Sequence, residues 1–137
     1  MRFNKESRDK ALMHLLSLKE NYHDHCDMNK AVKNEVLSNV SYHGPDCPLV
    51  TSDAVDRTLS DMEEMNRDLR ILFRSLDRVS EYLLGGPGNK KLDKEINNHL
   101  KIRDSFAPKW DKTIKKRSGL CDLMVAMNTP ENEIDDV

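Results

Sequence analysis

The sequence has few of the residues that build disulfide-rich domains, sheets or membrane spans. Only 5% of its 137 residues are aromatic, and its three cysteines cannot all pair with one another. Long apolar runs are absent, and the first ten residues, MRFNKESRDK, are too polar for a secretory signal. These absences argue against a membrane protein and a secreted disulfide framework. They predict a soluble intracellular protein with reduced thiols, located in the cytoplasm, or in the nucleus of a eukaryotic host.

Charge dominates what is present. Charged residues make up 34% of the chain and hydrophobic residues only 37%. A core with so few apolar residues is assembled from narrow stripes, which suits amphipathic helices better than a β-sandwich. We therefore predict an all-α fold, a helical bundle in which residues 1–128 form one domain with a hinge at 85–89. The acidic residues 129–137 are predicted to be a disordered tail.

The first part of the chain shows helical periodicity. Apolar residues at spacings of three and four predict a helix over 5–24 and another over 27–40, with Asp27 as a candidate N-cap. The pattern leaves open whether these two helices are continuous. The segment SYHGPDCPLVTSD contains one glycine and two prolines, so we predict a loop there.

The clearest element is a long helix over 53–84, capped by Ser52 or Asp53. At 1.5 Å per residue it would be about 45 Å long, which is more than a compact domain of this size needs. We therefore interpret its apolar stripe as a seam for another protein, for a second copy of this chain, or for both, with a homodimer as the expected assembly. Asn66 interrupts this stripe, and a polar residue in such a seam is known to fix register and partner number.

Three shorter helical segments are predicted after the hinge. The first covers 90–105. Pro108 suits the first turn of a second helix and Gly119 its end, and a last short helix covers 120–127. No strand and no internal repeat is predicted.

Four arginines of the long helix fall within about 80° of one another by helical arithmetic. They are Arg67, Arg70, Arg74 and Arg78. Glu63 is the expected intrahelical partner of Arg67, Asp77 that of Arg74 and Glu81 that of Arg78. Arg70 has no acidic residue three or four positions away. Because guanidinium groups suit bidentate recognition of carboxylates, we expect Arg70 to contact a partner.

These features predict a non-enzymatic protein–protein interaction module, a small regulator, adaptor or subunit of a complex. It would act by occlusion or bridging through the long helix. The residues predicted to bind the partner are Met62, Met65, Asn66, Leu69, Arg70, Phe73, Arg74 and Leu76.

A basic segment supports an alternative function. Residues 86–119 carry ten basic side chains and four acidic ones. The alternative is a regulator that binds nucleic acid through phosphate contacts, without reading its sequence. The residues predicted for this role are Lys109, Lys112, Lys115, Lys116 and Arg117. A solvated lysine face on an amphipathic helix explains the same pattern.

Histidine and cysteine occur together in the stretches YHDHCD and YHGPDC. His23, Cys26, His43 and Cys47 have a spacing that zinc ligands can have. On a helix, however, His23 and His25 point about 200° apart, so both cannot hold one ion. No nucleophile elbow or phosphate-binding loop accompanies them. We therefore predict no catalytic residue, metal, cofactor or small-molecule substrate.

Overall fold

Four helices make up the part of the chain that the structure describes. A computed structural model describes residues 5–85 and 90–129. The helices are α1 (Lys5–His43), α2 (Pro48–Thr51), α3 (Asp53–Leu84) and α4 (Lys90–Asn128). The described residues contain no strand, so the all-α prediction is confirmed. Most of the predicted hinge and nearly all of the predicted acidic tail lie outside the described residues.

Helix α1 is continuous over 39 residues. Its buried positions keep three- and four-residue steps through the middle of the helix, and no glycine or proline interrupts 5–43. The proposed N-cap at Asp27 is therefore wrong, since Asp27 lies in the helix interior. The helix ends at Gly44, whose φ of 79° favours glycine. The Gly44 N–H donates to the Val40 carbonyl at 2.9 Å.

Helix α3 begins at Asp53 and ends at Leu84, the bounds that its apolar pattern predicts. The Ser52 hydroxyl accepts a hydrogen bond from the Val55 N–H at 3.4 Å, as expected of an N-cap. Within the segment predicted as a loop, four residues instead form the short helix α2, which buries Leu49.

Helix α4 corrects the prediction of three separate segments after the hinge. Pro108 and Gly119 both lie inside one helix of 39 residues. A proline removes one backbone hydrogen bond and costs about 3 kcal/mol in a helix interior. Burial on either side offsets this cost, because Leu92 packs before Pro108 while Leu120 and Met124 pack after it. Pro108 and Gly119 therefore do not end the helix, because packing on both sides of them favours continuity.

The three long helices pack into a bundle in which α3 contacts both α1 and α4. Lys19 pairs with Asp77 and Lys33 with Glu63, so α1 and α3 run antiparallel. Three groups of buried side chains follow one another along the bundle. The first group is Val32, Val36, Cys47, Leu49, Val55, Met62, Leu120 and Met124. The second is Tyr22, Met65, Leu69, Leu72 and Leu76, and the third is Val79, Leu83 and Leu92.

Two further observations concern the cysteines and the apolar character of the helices. Cys26, Cys47 and Cys121 are all free thiols. Across 5–85 and 90–129, no helix has both the length and the apolar character that a membrane crossing requires.

Candidate functional site

The apolar residues predicted to bind a partner lie inside the folded chain. Met62, Met65, Leu69 and Leu76 are each no more than 2% exposed. Helices α1 and α4 cover them, and at about 58 Å each is longer than α3. The stripe interpreted as a seam for another chain is therefore filled by the chain's own helices.

Asn66 and Phe73 also make contacts within the chain. The Asn29 side-chain amide donates to the Asn66 Oδ1 at 2.9 Å. The ring of Phe73 lies 4.2 Å from that of His23 and meets Tyr22 edge-on at 6.1 Å. Asn66 thus links α3 to α1 within the chain.

Arg67, Arg70, Arg74 and Arg78 of α3 are exposed, and two of their three predicted intrahelical partners pair with lysines of α1. Lys33 Nζ lies 3.0 Å from the Glu63 carboxylate, the expected partner of Arg67. Lys19 Nζ lies 2.5 Å from the Asp77 carboxylate, the expected partner of Arg74. Ion pairs between α1 and α3 therefore replace two of the predicted pairs, and in the described chain the third, Arg78 with Glu81, forms no ion pair.

The other flank of α3 is neutralised by α4. Lys109 pairs with Glu64 at 3.2 Å, and Lys116 pairs with Asp61 at 2.8 Å. A fifth acidic residue, Asp68, is buried, and this burial raises the pKa of its carboxyl group. Lysines of the neighbouring helices thus neutralise much of the negative charge of α3. Within the described ranges, Arg67, Arg70, Arg74 and Arg78 have no ion-pair partner.

We call the exposed surface around these arginines the arginine face. It consists of Arg67, Arg70, Ile71, Arg74, Arg78 and Tyr82. Ile71 is 43% exposed and Tyr82 36% exposed. Helical arithmetic places all six within a sector of about 120°. Ile71 and Tyr82 lie outside the buried stripe, so the core periodicity does not identify them, whereas the helical arithmetic that groups the arginines does.

A groove between α1 and α3 extends the positive charge of this face. It has a volume of about 350 Å³, with Lys30 and Lys33 along one wall and Arg67 and Arg70 along the other. Lys33 is paired with Glu63, whereas Lys30 has no ion pair within the described chain. A carboxylate approaching the groove would meet three unpaired cations.

Fewer cations of the basic segment of α4 are free to bind a polyanion than the sequence suggests. Lys109 and Lys116 are engaged with α3, and Lys112 and Lys115 are exposed. Arg117 is only 4% exposed, which corrects its assignment to a cationic surface. It follows Trp110 by seven residues, two helical turns, and therefore lies on the same inward side of α4.

Arg117 belongs to a buried polar network instead. Its Nη1 donates to the Asn29 Oδ1 at 2.5 Å, and no carboxylate of the described chain pairs with it. Burial lowers the pKa of Arg117, and Cys121 opposes this shift. The Asn29 side chain also donates to Asn66, so this one amide links the three long helices α1, α3 and α4.

The histidine and cysteine residues considered as zinc ligands are not brought together. His23 and His43 lie on one continuous helix, twenty residues and about 30 Å apart. The described ranges contain no cluster of three or more metal-ligating side chains. Burial raises the pKa of the Cys26 thiol, with Lys30 and Arg70 opposing the shift, so this thiol is not activated as a nucleophile would be.

No protein-family model, no curated protein and no solved structure matches this chain.

The exposed cations, the exposed apolar side chains and the groove between α1 and α3 coincide at the arginine face. This surface suits recognition of carboxylates on a broad, partly apolar partner.

Proposed function

We propose that this chain is a non-enzymatic protein–protein interaction module whose arginine face binds an acidic surface of another protein. The observation that supports the proposal is a row of four exposed arginines without ion-pair partners in the described chain, with the exposed Ile71 and Tyr82 along one side of it. The module would serve as an intracellular regulator, adaptor or subunit, acting by occlusion or bridging.

The chemistry of the face favours a protein partner over nucleic acid. Arginine and tyrosine are enriched at protein interfaces, and buried aromatic or arginine anchors carry most of the binding energy there. Arg67 and Arg78 are eleven residues apart, about 16 Å along the helix, which fits within one side of a standard interface. Phosphate contacts would not require an exposed Ile71 beside the row.

The same charge pattern favours a different protein over a second copy of this chain. In a two-fold contact, each patch meets its own equivalent. The arginines would then face arginines, and such like-charge contacts cost several kcal/mol. We therefore propose a hetero-complex and expect light scattering to give a monomer at tens of micromolar.

Charge reversal tests the face directly. The test variant changes Arg67, Arg70, Arg74 and Arg78 to Glu. The matched control changes four exposed lysines, Lys94, Lys101, Lys112 and Lys115, to Glu, so the net charge changes equally. Both variants and the wild type are used for affinity capture from the native host, with and without nuclease, and captured proteins are identified.

We expect a protein partner that survives nuclease treatment, is retained by the lysine control and is lost by the arginine variant. The single change Ile71→Ser should weaken its binding by about tenfold, because it removes an apolar contact without altering charge. Capture lost only in the lysine control would favour the nucleic-acid alternative. A dimer of this chain that Ile71→Asp converts to monomer would replace the proposal with self-assembly.

A further inference from the structure

A second cavity lies near the end of the bundle where α3 finishes. It has a volume of about 280 Å³ and is lined by residues of α1, α3 and α4. Its apolar wall consists of Ala11, Leu15, Leu18, Leu76, Val79, Leu83, Leu92, Ile96 and Leu100. An empty apolar cavity of about 150 Å³ is enough to bind benzene, so this one has room for a larger molecule.

The polar groups of the cavity are all basic. They are His14, His99 and Arg103. Among the described residues that line it, none is acidic. The guanidinium of Arg103 is 3.4 Å from the carboxylate of its neighbour Asp104, but both side chains are substantially exposed. Such an exposed pair contributes little, so Arg103 can exchange it for a better-shielded anion.

His99 is held in place and does not compete for an anion. Its Nδ1 is 3.2 Å from the Ser75 hydroxyl, and its Nε2 is 3.4 Å from the Tyr22 hydroxyl. Burial lowers the pKa of His99, and the positive charge of Arg103 lowers it further. The imidazole is therefore neutral near pH 7, since its ordinary pKa is about 6.5. Arg103 is the fixed cation at the cavity.

We propose that this cavity binds a small carboxylate with an apolar body, the apolar part lying among the leucines and the carboxylate against Arg103. Pockets of this kind combine apolar walls with a few polar groups that set ligand orientation. The volume suits a chain of about eight carbons or a single ring with a short substituent, judged against the benzene-sized cavity. The site shares no residue with the arginine face, so it is independent of the proposed function.

Octanoate is the probe, and 1-octanol and octylammonium are its neutral and cationic counterparts. Binding is followed by NMR of isotope-labelled leucine, isoleucine and valine methyl groups in the full chain. We expect octanoate to shift the methyls of cavity residues such as Leu15 and Val79, and to bind at least tenfold more tightly than octanol. Octylammonium should bind more weakly still.

Two variants remove the two halves of the site. Arg103→Gln should weaken octanoate binding about tenfold and leave octanol binding unchanged. Ala11→Leu places a larger side chain at the apolar wall and should weaken both. The controls are Arg57→Gln and Ala31→Leu, which make the same changes at exposed positions outside the cavity. Thermal unfolding of each variant verifies that it is folded.

Three results would overturn the site. Octanoate at millimolar concentration could leave the cavity methyls unshifted. It could bind no better than octanol, which would remove the role of Arg103. Its affinity could also be the same in Ala11→Leu and Ala31→Leu, which would locate binding elsewhere.

Discussion

The buried contact between Asn29 and Arg117 offers the most decisive test of the structure. Arg117 is an interior cation whose side-chain acceptor is one amide oxygen. Asn29→Leu would remove that acceptor and leave the charge in place. Breaking a buried charged interaction by removing one partner costs about 3–5 kcal/mol, because an uncompensated charge stays in the interior. We expect Asn29→Leu to reduce the free energy of unfolding by that amount.

The reverse change should be milder. Arg117→Met keeps much of the side-chain length and removes the charge, so what is left is an amide oxygen without a donor. That loss costs about 1–3 kcal/mol. The double variant Asn29→Leu/Arg117→Met removes both groups and should be more stable than Asn29→Leu alone. The two changes should therefore be non-additive by about 2 kcal/mol or more.

Urea unfolding followed by far-UV circular dichroism measures all four proteins of this cycle. A domain of this size is typically stable by about 5–15 kcal/mol, so each loss is measurable. Additivity within about 0.5 kcal/mol, or a loss below about 1 kcal/mol for Asn29→Leu, would refute the buried network. If Arg117→Met left stability unchanged but abolished retention on a polyanion column, Arg117 would be a nucleic-acid contact after all.

Three further predictions concern the core, pH and the surface. Leu69→Ala should lower the free energy of unfolding by about 2–5 kcal/mol in urea titrations, since Leu69 is fully buried, whereas the exposed Arg70→Ala should change it by less than about 0.5 kcal/mol. Burial lowers the pKa of both His25 and His99. The unfolded chain therefore binds more protons than the folded chain below about pH 6.5, so the free energy of unfolding should fall as the pH drops through that value. The fall should be less steep in His99→Gln. A urea midpoint that does not change between about pH 7.5 and 5 would contradict this prediction. Lys116→Gln should cost less than about 1 kcal/mol in the same titration, because its ion pair with Asp61 is partly exposed, and a larger loss would show that this pair is structural.

The local features of the fold were predictable from the residues alone. The apolar spacing of α3 predicts its bounds at Asp53 and Leu84, and Ser52 has the side chain of an N-cap. Both depend on interactions between residues a few positions apart, which are readable along the chain. The helical character of α1 and α4 was predicted for the same reason.

The continuity of α1 and α4 was harder to predict. Pro108 and Gly119 are breakers in isolation, and the choice between a break and a continuous helix depends on what each side of the helix buries. In α4 the buried residues on both sides of Pro108 pack against the rest of the bundle, so continuity prevails. Met62 and Leu69 are buried because α1 and α4 are long enough to cover the apolar stripe of α3.

The residues alone predict that the chain is helical, where its longest amphipathic stripe runs and that Ser52 can cap it, because periodicity and capping act over one or two turns. Which charged side chains pair with one another depends on how the helices pack. Glu63 pairs with Lys33 of α1 and not with Arg67, and Asp77 pairs with Lys19 and not with Arg74. The arginines of the arginine face therefore have no ion-pair partner in the described chain. The basic pattern of α4 predicts Arg117 as a surface cation, but Arg117 is buried, and its hydrogen-bond acceptor Asn29 is 88 residues away in the sequence. Contacts at such separation depend on how whole helices pack, which no short stretch of sequence encodes.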